Sequence, residues 1–382
     1  MRNWLLPENI ADILPATARQ LESAKSGMLE MFRTYGYELV CPPMIEYVES
    51  LVSQEDKALD LKTFKLDDQL SGRQLGLRAD ITPQVARIDA HLLGARTGVT
   101  RLCYAGSVVH TRPDSLMGSR EPLQIGAELY GYRGIEADLE ILDLMLKTLS
   151  LVGTESLTLD LGHLGIYRAL VTAAGLESSL VAEVFVALQA KDTAAVSELL
   201  IDVQEPYRSA LSELATLYGP DALLRARKTL PALPEISAAL DELDLIAVHL
   251  KDRIRICFDL TELRGTHYHT GLLFAVYAEG WAGELARGGR YDNVGKKFGR
   301  SRPATGFSLD LRDLLRILPQ KSPVKGIRVA ATDRDAAASH IDELRLSGEV
   351  VVVDLLNESA DALNCDRQLV CRDGGWYVTS LC

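Results

Sequence analysis

Three short runs hold most of the chemistry this sequence can do. In Gln124-Ile125-Gly126-Ala127-Glu128, alternate residues of a strand share one face, so an amide, a bare backbone and a carboxylate line up. That row offers a ligand ammonium group two polar partners and room against the chain. An ordinary polar sheet face has the same pattern, so the run alone decides nothing. In Arg78-Ala79-Asp80-Ile81-Thr82-Pro83, Asp80 and Thr82 share parity at a strand-to-helix corner. Taken alone they cap a helix, with Thr82 as N-cap and Pro83 as its first helical residue.

The third run is Leu263-Arg264-Gly265-Thr266-His267-Tyr268-His269-Thr270-Gly271, and 16 residues further on comes Arg287-Gly288-Gly289-Arg290-Tyr291-Asp292. Arginine beside glycine points to backbone opened for a substrate whose carboxylate or phosphate meets forked donors. His267 and His269 would share a strand face, but no third ligand accompanies them and no metal is expected. The sequence contains no G-x-x-x-x-G-K-[ST] loop, no G-x-G-x-x-G fingerprint and no G-x-S-x-G elbow. No cofactor is expected either.

The elements that must position these runs follow from periodicity. Leu21, Ala24, Met28 and Phe32 predict an amphipathic helix over about 16–35, ended at Tyr35-Gly36-Tyr37. A helix from Thr82 to about His91 follows a short strand and the Pro42-Pro43 bend. Residues 101–110 and 120–131 predict two strands, joined by a polar, mobile loop from Thr111 to Ser119. Leu139, Leu142, Leu146 and Leu149 stripe another helix, and Leu157, Leu159 and Leu161 alternate as a strand. From about 162 to 248 the pattern is helical, an insertion between two halves of a sheet. Ile254 to Leu260 and Gly271 to Glu279 read as strands, and Gly288-Gly289 as a tight approach before the next element. After a linker at 319–323, a strand, a helix and a strand predict a small α/β domain over 325–382, with the main domain over 1–318.

Lys and Arg number 41 against 53 Asp and Glu, a net charge of -12, which opposes general nucleic-acid coating while leaving room for a small basic site. The six cysteines form no C-x-x-C pair and suit reduced thiols. The first residues lack the long apolar stretch of a signal peptide, and no run of about 18 apolar residues predicts a membrane span. The expectation is a cytoplasmic protein with no membrane contact.

The order of the motifs resembles the catalytic core of histidyl-tRNA synthetases, of class II, over about residues 5–318. Its histidine-specific signatures are Arg264-Gly-x-x-Tyr268-x-Thr270-Gly271 and Gly288-Gly-Arg-Tyr-Asp292. The resemblance implies an α+β fold: an antiparallel sheet core flanked by helices, with a helical insertion and a small C-terminal α/β domain. It also implies that Asp80, Thr82, Gln124, Glu128, Arg264, Tyr268 and Tyr291 bind histidine. The carboxylates and the amide would hold the amino group, Arg264 the carboxylate, and the tyrosines with Glu128 the imidazole. In the synthetases the first of these is glutamate, so Asp80 is a shortened version.

The departures are as informative. Where the second class motif carries arginine and glutamate that grip ATP, this chain has Val109 and Thr111. Where the third motif stacks arginine on adenine, it has Asp313, with Arg312 about 100° away around the helix. Amino-acid activation builds negative charge on phosphate, and cationic clamps supply most of its stabilisation. From residue 320 onward there are 7 Lys and Arg against 10 Asp and Glu, a poor match for an anticodon. A synthetase body with a kept histidine pocket and lost ATP and tRNA handling resembles the regulatory subunits of ATP phosphoribosyltransferase, as does the opening Leu6 to Pro15. That resemblance implies no catalysis of its own, a short-form catalytic subunit as partner, homodimers within a hetero-octamer, L-histidine as feedback effector, and no tRNA. The alternatives are a divergent active histidyl-tRNA synthetase and a free-standing histidine sensor.

Overall fold

The computed structural model describes residues 5–52, 57–113, 118–154, 156–261, 269–318 and 322–381. Two compact units emerge, residues 1–13 with 18–319 and residues 14–17 with 320–382. In the larger unit, β1 (Glu38–Leu39) follows the first helix, Pro15–Thr34. That helix stops where Gly36 takes a φ of 82° and Tyr37 N–H turns back to Phe32 O at 3.0 Å. Three short strands, β2 (Ile45–Tyr47), β3 (Lys65–Asp67) and β4 (Gln74–Leu77), form an antiparallel sheet in the order β2-β4-β3.

The main sheet is completed by β5 (Thr100–Ser107), β6 (Leu123–Tyr130), β7 (Leu157–His163), β8 (Arg255–Phe258), β9 (Leu272–Ala278), β10 (Ala286–Arg290) and β11 (Ala304–Asp310). Its order is β1-β5-β6-β11-β10-β9-β7-β8. The outermost pairs, β1 with β5 and β7 with β8, are parallel, and the pairs between them are antiparallel. Parallel neighbours need a long crossover. For β7 and β8 that crossover is a block of six helices between Leu164 and Leu250.

The central strand β6 is buried on both faces. Ile125, Ala127 and Leu129 join the core with Met28, Phe32, Ile141, Leu142 and Met145 of the helices Pro15–Thr34 and Ile135–Leu151. Phe32 meets Phe307 of β11 edge-on, 5.9 Å between centroids. The alternate residues Gln124, Gly126 and Glu128 face the other way. There Tyr104, Tyr130 and Tyr291 pack with Ile81, Val85 and Ala304 into a second apolar cluster. The site therefore lies on the sheet face opposite the two long helices.

Some local readings change. The helix after the strand-to-helix corner runs Thr82–Arg87 and passes into a π-helical turn, Ile88–Leu92. Ile81 occupies the cap position with no side-chain bond, and Thr82 is already helical, which frees its hydroxyl to point across the sheet. The β5–β6 ladder stops at Ser107 and Leu123. Beyond it, Val108 N–H to Pro122 O and His110 N–H to Arg120 O continue the pairing irregularly, at 3.0 and 2.8 Å. Gly288 and Gly289 lie within β10, not before an element. A side chain at Gly288 would strike the Gly306 carbonyl and the Phe274 ring, so the strand there has no room for one.

The smaller unit holds β12 (Gly326–Ala330), β13 (Val351–Asp354), β14 (Cys365–Arg372) and β15 (Gly375–Ser380), in the order β13-β12-β14-β15. Ile327, Val329, Val351 and Leu369 form its core with Ala337 and Ile341, the latter on the helix Ala338–Leu346. The β14–β15 hairpin is an addition to the expected strand-helix-strand. Among the described residues, no helix is long and apolar enough to cross a membrane.

Candidate functional site

Glu128 is the centre of the site, at 1% exposure. Three hydroxyls from three elements converge on its carboxyl group. Thr82 Oγ1 at 3.2 Å and Tyr104 Oη at 3.0 Å meet Oε1, and Tyr291 Oη meets Oε2. Burial pushes the Glu128 carboxyl up to about 8, with Asp80 adding to the rise and the three hydroxyls opposing it.

Two glycines make this possible. Gly306 is the cross-strand partner of Glu128, and a side chain there would occupy the place of the carboxyl oxygen. Gly126 is the partner of Tyr104, and a side chain there would displace the phenol. A bare floor with polar groups leaning over it is what a small polar ligand requires.

Asp80 and Gln124 form the second part. Gln124 Nε2 donates to Asp80 Oδ1 at 2.8 Å, and Ile81 N–H donates to Gln124 Oε1 at 2.9 Å. Thr82 N–H also donates to Asp80 Oδ1, at 3.0 Å. These bonds fix both side chains and leave Asp80 Oδ2 without a hydrogen bond among the described residues, open to a cationic donor. The structure thus brings Asp80, Thr82, Gln124, Glu128 and Tyr291 together. Arg264, Tyr268 and His267 lie outside the described residues, as does part of the loop from Thr111 to Ser119. His269 sits edge-on to Tyr291, 6.2 Å between ring centroids.

Two contributors escaped the sequence reading. Tyr104 reaches both Thr82 and Glu128, and its signal was a tyrosine on the strand neighbouring Gly126. Behind Tyr291, Arg290 makes a buried pair with Asp138, Nη2 to Oδ2 at 2.6 Å, and donates to the Tyr132 and Gly134 carbonyls. Nothing local in the sequence marks a pair separated by 152 residues.

At the other end of the strands many polar groups are already engaged within the chain. Val109 N–H is spent on Arg78 O, and Thr111 Oγ1 on Leu61 O. Arg78 itself is buried and donates to Ser107 O and Pro42 O at 2.8 Å each. Arg312 pairs with Glu121 at 3.1 Å, and Asp313 with Arg316 at 3.3 Å. Burial, reinforced by Asp313, pushes Asp310 up to about 7. At this end Arg312 is paired with Glu121, and Asp310 and Asp313 add carboxyl groups where a triphosphate would draw on cations. Among the described residues, no three of His, Cys, Asp and Glu gather closely enough for a metal ion.

Comparison with known proteins agrees with this mixture. The histidyl-tRNA synthetase family model matches residues 9–314, and that of the ATP phosphoribosyltransferase subunit HisZ C-terminal domain matches residues 324–379. The ATP phosphoribosyltransferase regulatory subunit of Laribacter hongkongensis is 68% identical, covering 98% of this chain and 97% of its own. That of Chromobacterium violaceum is 66% identical over 99% of both. A crystal structure titled as an ATP phosphoribosyltransferase regulatory subunit/histidyl-tRNA synthetase from Bacillus halodurans superposes with a TM-score of 0.83 at 28% identity, covering 95% of this chain and 96% of that one. Histidyl-tRNA synthetase from Nostoc sp. PCC 7120 shares the fold, with a TM-score of 0.80 at 16% identity, over 100% of this chain and 97% of that one. The chain belongs to the ATP phosphoribosyltransferase regulatory subunit family, on a histidyl-tRNA synthetase-like body.

Proposed function

We propose that this chain is the non-catalytic regulatory subunit of an ATP phosphoribosyltransferase, acting in histidine biosynthesis. It activates a short-form catalytic subunit and relays feedback by L-histidine, as a homodimer within a hetero-octamer. The observation that carries the reading is full-length identity of about two-thirds to relatives bearing that name. The site supports the histidine part. Glu128, Tyr104 and Tyr291 offer polar partners for an imidazole, and the open oxygen of Asp80 suits an ammonium group. The same geometry weighs against a working synthetase, because Val109, Thr111 and Asp313 supply no cation to a phosphate in its transition state. The acidic small unit supports the absence of a tRNA role.

Regulation then follows linkage: histidine binding changes the partner's activity only by the difference in its affinity for two states of the assembly. The test is to mix the chain with a short-form catalytic subunit. The expected result is co-elution, a faster phosphoribosyl transfer, and inhibition by histidine that Glu128→Gln weakens. Histidine-dependent ATP–pyrophosphate exchange by the pure chain would overturn the reading in favour of a synthetase. Histidine binding without any effect on the catalytic subunit would favour a free-standing sensor.

A further inference from the structure

At the end of the sheet beyond Tyr291 lies a solvent-open cavity of about 320 Å³, lined among the described residues by Arg133, Arg168, Thr270, Asp292, Asn293, Ser301, Arg302 and Pro303. None of Asp80, Thr82, Gln124, Glu128, Tyr104 and Tyr291 lines it. Its three arginines come from three separate places in the chain: the turn after β6, the helix Leu164–Ala173 and the segment leading into β11.

Their charges are not equally spent. Arg302 is buried and paired with Asp89 at 2.8 Å. Arg168 gives one N–H to the His269 carbonyl at 2.7 Å and has no carboxylate partner among the described residues. Arg133 is exposed and has no hydrogen-bond or ion-pair partner among them. The lining acid, Asp292, is engaged on its own side, accepting from Ala304 N–H at 3.0 Å and lying 3.6 Å from Arg290. In a chain of net charge -12, Arg133 and Arg168 thus bring to a concave, accessible space two guanidinium groups without a carboxylate partner among the described residues.

We infer that this cavity is an anion site for a small phosphorylated ligand, a phosphate monoester or a pyrophosphate. Forked guanidinium donors from Arg133 and Arg168 meet the phosphoryl oxygens, with the Asn293 amide beside them. The site stands independently of the histidine reading. It is also placed to communicate with that pocket, because Arg168 holds the carbonyl of His269, whose ring meets Tyr291.

The test is calorimetric titration of the full chain with inorganic pyrophosphate, at low and at raised salt. Saturable binding is expected, weakening as salt rises. Arg133→Ala with Arg168→Ala should weaken it by about tenfold or more, since each removes a charge-assisted bond. Arg133→Lys with Arg168→Lys should retain part of it. Arg168→Ala also removes the bond to the His269 carbonyl, so Arg133→Ala alone, at an exposed residue without a partner among the described residues, is the variant expected to keep the native thermal midpoint while still losing affinity. Absence of binding, or equal binding by the native chain and the alanine variant, overturns the inference.

Discussion

The carboxyl group of Glu128 occupies the space that a side chain on Gly306, its partner across β6 and β11, would fill. The two residues are coupled by shape alone. Gly306→Ala must therefore push the carboxyl off its position and away from Tyr291, or force the strands apart. Overpacking of this kind costs about 1–3 kcal/mol. The expected outcome is histidine affinity reduced by about tenfold or more with the fold retained. Calorimetry with histidine, beside a circular dichroism spectrum of the variant, checks it. Unchanged affinity would mean that Glu128 does not contact the ligand.

Arg290 and Asp138 are 9% and 5% exposed at their side chains, so removing either leaves a buried charge uncompensated. Burial raises the Asp138 carboxyl, and Arg290 holds it down. Arg290→Ala is expected to cost about 3–5 kcal/mol in urea unfolding. Asp138→Ala with Arg290→Ala should cost clearly less than the two single changes added together, because the double variant buries no unpaired charge. Additive costs would show that the pair is not coupled. Histidine affinity should fall in the single variant too, since Arg290 anchors the backbone that aims Tyr291.

Burial raises the carboxyl of Asp310, and the neighbouring Asp313 adds to the rise. Asp313→Asn should lower the Asp310 titration from about 7, read by carboxyl carbon resonances across a pH series. It should not create histidine-dependent ATP–pyrophosphate exchange, because Val109 and Thr111 still supply nothing to the phosphates. Exchange activity in that single variant would mean that one charge alone separates this chain from a synthetase.

Much of this site was legible because its residues sit on regular elements. Gln124 and Glu128 share a face by strand parity, and β6 keeps that parity from end to end. Thr82 reads locally as a cap, because the sequence does not show that its hydroxyl has a better acceptor across the sheet. Tyr104 and the Asp138–Arg290 pair depend on register and on packing between distant segments, which no local pattern encodes. The β14–β15 hairpin is a different case. Asp373-Gly374 takes positive φ at both residues, 48° and 78°, and an Asp-Gly pair between alternating strands is a local signal for such a turn.

The pH response of stability is a direct reading of Glu128. Its ordinary value is 4.5, and in the folded chain burial takes it to about 8. Below about pH 4.5 both folded and unfolded states hold the proton, and burial carries no penalty. Between about 4.5 and 8 the unfolded chain releases its proton while the folded chain keeps it, so stability falls as pH rises, by at most about 1.4 kcal/mol per pH unit. Above about 8 both are ionised and the loss levels off. Asp310 acts in an overlapping window, so the useful quantity is the difference between the native chain and Glu128→Gln, in which the Asp310 contribution cancels. That difference should swing steadily toward the glutamine variant from about pH 5 to about pH 8 in urea unfolding. Parallel curves over that range would show that Glu128 is already ionised in the folded chain, and that the three hydroxyls outweigh its burial.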